Sequence, residues 1–201
     1  MGGFRVGIEI VQVTYVLRAI LVSFIIIVSF SALGCGTATC QLSWVRAQGG
    51  VIQDGRVDRA QAACSLLLGP SVDRTVQVHV LDSDSVGAYG WPDGNLFVTR
   101  GLVDLLSDKE LAAAIAHEMG HLLNDGHLHT VVSLRGCCVS PDAEARADSI
   151  GVRLLAEQGI GRDAMTSMLN KVRSSPGVSP SCQQGIGQRI ELLTGHPESN
   201  R

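Results

Sequence analysis

The residues best placed to do chemistry are His117, Glu118 and His121, in the run His117-Glu118-Met119-Gly120-His121. Positions four apart on an α-helix differ by about 40° around the axis, so both imidazoles leave one face. There they can meet one Zn2+, which favours neutral nitrogen ligands. Glu118 borders that face and can take a proton from an activated water. Leu111, Ala112, Ala114, Ile115, Met119, Leu122 and Leu123 make this helix apolar nearly all round, which calls for burial. Two histidines and a glutamate are costly in such a helix unless something partners them.

A catalytic zinc also needs a third protein ligand and an open fourth position. Glu144 and His127 compete for the role. Glu144 lies in Glu144-Ala145-Arg146-Ala147-Asp148, where Glu and Asp four apart share a helical face. Glu144 can bind the metal while Asp148 accepts the other ring N–H of a ligand histidine. The plain alternative for this pair is an exposed helix face beside Arg146 and Arg153. His127 follows His121 by six residues, the metzincin spacing, but Asn124 stands where metzincins have Gly. Asparagine tolerates the left-handed turn, so the option stays open.

The elements that must position these groups can be read from periodicity and breakers. Residues 55–68 carry apolar positions at helical spacing, and Gly69-Pro70 ends that helix. Val76 to Leu81 alternates as a half-buried strand. Val86 to Trp91, the turn Pro92-Asp93-Gly94, and Leu96 to Thr99 read as a hairpin. Ser107-Asp108-Lys109-Glu110 has the form of a capping box, so a helix runs from there to about Asn124. Ser140-Pro141 starts another helix that stops at Gly159. Shorter helices are expected over residues 162–172 and 187–193. The expected class is α+β, with a small antiparallel sheet against a helical bundle.

The remainder of the sequence speaks to location. Ala19 to Leu33 is an unbroken apolar or Ser run behind Arg5 and Arg18, and Ser31-Ala32-Leu33-Gly34-Cys35 resembles a lipobox. Residues 1–34 therefore read as a signal peptide or a membrane anchor, with Cys35 as the lipidation candidate. Residues 35–54 read as a tether, and residues 55–201 as the functional domain. Either N-terminal reading puts that domain outside the cytoplasm, on the membrane of the cell envelope. Cysteine usage fits an oxidising compartment: Cys137 and Cys138 are adjacent, and a bridge from Cys64 or Cys182 to that pair is expected. A net charge of -3 argues against nucleic acid, and only eight aromatics favour a monomer.

The stretch VHVLDSDSVGAYGWPDGNLFVTRGLVDLLSDKELAAAIAHEMGHLL, followed by EARADSIGVRLL, resembles the HtpX/BepA-like gluzincin metallopeptidases, a family that includes the CAAX prenyl proteases. The resemblance implies a zincin-like fold, one zinc per chain on His117, His121 and Glu144, Glu118 as general base, and Asp148 orienting a ligand histidine. It also implies endopeptidase activity on polypeptides, namely misfolded or envelope proteins, lying as an added strand along the edge near Val86 to Trp91. Arg189 matches the end of a late family motif and is the expected oxyanion stabiliser. Two positions depart from the pattern: Gly87-Ala88-Tyr89 replaces Asn-Ala-aromatic, and Gln183 stands where the late motif has His. Tyr89 and Gln183 are candidate hydrogen-bond donors in their stead. The same departures motivate a rival reading, a zinc-stabilised chaperone or scaffold protein of the envelope. A third reading has the loop from Asp125 to Pro141 covering the cleft.

Overall fold

The computed structural model describes residues 37–69, 72, 75–124, 132–133 and 140–195. The chain divides into two units, residues 1–47 and 48–201. In the first, Thr37–Ala47 forms helix α1, so part of the expected tether is helical. The apolar run 19–33, Cys35, His127, Cys137 and Cys138 lie outside the described residues. No helix among the described residues is long and apolar enough to cross a membrane.

The second unit holds α2 (Gly55–Leu67), β1 (Gln77–Leu81), β2 (Ala88–Gly90), β3 (Asn95–Thr99), α3 (Arg100–Leu105), α4 (Asp108–Asn124), β4 (Val132–Ser133), α5 (Pro141–Glu157), α6 (Asp163–Arg173) and α7 (Pro180–Gly195). The α+β class holds. The expectation of an antiparallel sheet does not: the strand order is β1-β3-β2-β4, and β1 runs parallel to β3. Periodicity reports which face of a strand is buried, not which neighbour it pairs with. The hairpin forms as expected, with Tyr89 opposite Phe97 and Gly94 at φ +89° in its turn.

Alternation along the strands sends Val78, Val80, Leu96, Val98 and Ala88 into one apolar core shared with α2 and α4. Helix α4 is buried for nearly its whole length, from Glu110 to Leu122. Its start is the expected box: Ser107 N–H donates to Glu110 Oε2 at 2.7 Å. Helix α5 begins where Ser140 Oγ accepts from Ala143 N–H, with Pro141 in the first turn, and ends before Gly159 at φ +69°. Its buried stripe Glu144, Ala147, Asp148, Gly151, Leu154, Leu155 faces inward at helical spacing.

Glycine lets α4 and α5 approach closely. A Cβ on Gly120 of α4 would collide with the Ala147 carbonyl oxygen of α5. One on Gly151 of α5 would lie 3.1 Å from the backbone nitrogen of His117. The missing side chains therefore set how near the two carboxylates of α5 come to the imidazoles of α4.

Among the helices of this unit, α3 went unread and α7 was read too short. The short helix α3 is capped by Thr99, whose Oγ1 accepts from Leu102 N–H. Helix α7 begins at Pro180 rather than near Gly187, with Ser179 Oγ accepting from Cys182 N–H at 3.3 Å. Cys182 is disulfide-bonded, whereas Cys64 is a buried free thiol, so the expected bridge does not involve Cys64.

Candidate metal centre

The close crossing of α4 and α5 gathers His117, His121 and Glu144 into one buried group, with one ligand atom from each inside a 4.8 Å span. His117 Nε2 and His121 Nε2 stand 3.2 Å apart. Glu144 Oε2 is 3.4 Å from the first, and Oε1 is 3.4 Å from the second. Ligands about 2.0–2.1 Å from a tetrahedral zinc are separated by ~3.3 Å, so the three spacings fit that ion. Residues 53–137 match the family model of Peptidase family M48.

The match supports a metallopeptidase of family M48 and covers the two histidines and Glu118. Glu144, Asp148 and Arg189 lie beyond the matched residues, and the fold itself brings them to His117 and His121. No curated protein matches the chain.

Asp148 Oδ1 lies 2.8 Å from His117 Nδ1, which orients the ring with Nε2 toward Glu144 and His121. Arg189 does not reach into open space, as an oxyanion stabiliser would. It donates from Nε to Asp148 Oδ2 at 2.7 Å and from Nη2 to Oδ1 at 2.6 Å. Its Nη1 lies 2.8 Å from Glu144 Oε2. The guanidinium thus clamps both carboxylates of α5 from behind.

Glu118 is 1% exposed, and neither oxygen makes a well-formed hydrogen bond. Burial pushes its carboxyl up to about 8, against the pull of His117 and a weak contact with the Gly90 amide. Burial would also keep His117 neutral, and Arg189 adds to that, but Asp148 and Glu144 outweigh both and raise it to about 9. Burial opposes ionisation of Glu144 too, yet His117 and His121 hold it well below the ordinary carboxylate range. The carboxylates of Glu144 and Asp148 thus flank the His117 imidazole on its two nitrogens.

The other expected donors lie elsewhere. Gly90 faces α4, since a Cβ there would sit 3.4 Å from Glu118 Oε2. Alternation then turns Tyr89 to the opposite face of β2. Its hydroxyl folds over Gly87, 2.7 Å from where a Cβ at that position would be. Gln183 is exposed and donates from Nε2 to Val178 O at 3.2 Å, in the segment just before α7. His79 lies away from this group, half-buried beside Asn95 and stacked on Phe97.

Sequence reasoning missed the structural part of Gly120 and Gly151. The signal was present: glycine inside a helix costs about 1 kcal/mol relative to alanine, which calls for a packing reason.

Proposed function

We propose that this protein is a zinc-dependent endopeptidase of the HtpX/BepA-like branch of family M48, acting on polypeptides at the extracytoplasmic side of the cell membrane. The observation that carries the peptidase reading is the buried His117–His121–Glu144 group with an unsatisfied Glu118 beside it. Zinc held by those three residues would supply Lewis acidity toward water and the scissile carbonyl. Glu118 sits in a dry pocket that lifts its proton affinity, the property of a group that takes a proton from water and passes it to the leaving amine. Asp148 fixes the His117 ring, and Arg189 fixes Asp148. An extended peptide would align on the backbone of β2 at Gly90, next to Glu118, along the side where β4 now pairs.

The envelope assignment rests on the apolar run, the lipobox-like Ser31 to Cys35, and the disulfide at Cys182, which suits an oxidising compartment. Membrane attachment through lipidated Cys35 or an uncleaved anchor, and a monomeric state, belong to the same proposal.

The test is Glu118→Gln. Hydrolysis of casein is expected to fall by at least about a hundredfold, the contribution of a positioned proton acceptor. Zinc content should remain at one per chain. A variant that digests casein as fast as the parent overturns the assignment of Glu118, and a parent inert toward casein and a peptide library favours the scaffold reading.

A further inference from the structure

Both edges of β2 are already taken. Ala88, Tyr89 and Gly90 pair with Val98, Phe97 and Leu96 of β3 on one side. On the other, Tyr89 and Gly90 pair antiparallel with Ser133 and Val132 of β4. Gly90 is the β2 residue that abuts Glu118. A peptide aligned on β2 beside Glu118 must therefore occupy the place where β4 now lies. Added outside β4 instead, it would run two strand spacings, about 9–10 Å, from Gly90.

We propose that Val132–Ser133 is a built-in capping strand, and that a polypeptide substrate enters by exchanging with it along the outer edge of β2. The inference rests on the peptidase reading for the nature of the incoming strand. Among the described residues the ladder spans two residue pairs, a length that suits exchange. Each backbone hydrogen bond has a modest net worth in water, so a longer extended peptide that also pairs beyond Gly90 outcompetes it. The cap would also keep an edge strand from pairing with unrelated chains.

The experiment uses the zinc-loaded Glu118→Gln protein, which holds peptide without turnover, and oxidised insulin B chain as the probe. The double substitution Val132→Pro/Ser133→Pro removes both β4 amide donors, whichever of them faces β2. Fluorescence anisotropy is expected to show at least about fivefold tighter binding in the proline variant, the equivalent of one net hydrogen bond. Hydrogen exchange on the unsubstituted cap gives a second readout that does not depend on how the proline variant folds. Peptide binding should speed exchange at residues 132–133 while residues 88–90 stay protected. Equal or weaker binding by a folded proline variant, or unchanged exchange at 132–133 on peptide binding, overturns the proposal. Casein digestion by the wild-type protein is scored separately: if it fails while the exchange signature appears, the peptidase reading falls and the capping strand stands.

Discussion

Helix α4 carries two buried glutamates eight residues apart whose surroundings are opposites. Glu110, near its start, accepts from Ser107 N–H, from Ser107 Oγ, from Ser167 Oγ at 2.6 Å and from Lys171 Nζ at 2.6 Å. Those donors come from the turn between α3 and α4 and from α6, so the knot ties the start of α4 to α6. Glu118, in the middle of the same helix, has no comparable donor. Around it, imidazole nitrogens and carboxylate oxygens crowd one another at 3.2–3.4 Å. A satisfied buried carboxylate holds a fold together, whereas an unsatisfied one beside convergent ligands waits for a reactant or an ion.

The largest contrast should come from removing one carboxylate from each cluster. Glu144→Ala should lose zinc and hydrolysis to background, while Glu110→Ala should keep one zinc per chain and normal turnover per folded molecule. Metal analysis beside casein digestion checks both. Zinc lost from His127→Ala but retained by Glu144→Ala would break the comparison, because the metal would then be held by a different set. Arg189→Lys sharpens it next. Lysine cannot grip Asp148 through two parallel bonds, and zinc affinity is expected to fall about 10–100-fold in a chelator competition.

Glu110→Ala itself should lower stability by about 2 kcal/mol, read from urea unfolding, since Lys171 and the two serines lose their shared acceptor. The smallest effect concerns pH. Burial alone would lift the Glu110 carboxyl, but Lys171, Ser167 and Ser107 outweigh it and bring it from 4.5 to about 2. A depressed carboxyl stabilises the folded chain fully above its unfolded value and ceases to do so as pH falls through its folded one. Thermal melts of Glu110→Gln should therefore converge on those of the parent between pH 4.5 and 2. A gap that stays constant over that window would show that the knot contributes nothing through ionisation.

Much of the candidate metal centre was legible because it is written in helical spacing. His117 and His121 share a face by arithmetic, and so do Glu144 and Asp148, while Ser140-Pro141 announces the helix that carries the second pair. The place of Arg189 was not legible. Its motif position put it near the site, but only the packing of α7 shows the guanidinium spent on Asp148 and Glu144. The parallel pairing of β1 was hidden for a similar reason, since one strand's alternation carries no information about its neighbour. Helix α7 was read too short because Gly185 and Gly187 weaken the local preference, although Ser179-Pro180 is a start signal of the same kind as Ser140-Pro141.

The crossing of α4 and α5 has a consequence for how the centre tolerates change. Its spacing is governed at two points where a side chain is absent, Gly120 and Gly151, and neither bears a ligand atom. One methyl group at either place would have to wedge the helices apart, whereas metal–ligand distances tolerate only ~0.2 Å. The grip on an ion held there would therefore be tuned by backbone contact behind the imidazoles, and substitutions at these glycines would act as a remote detuning of chemistry they never touch.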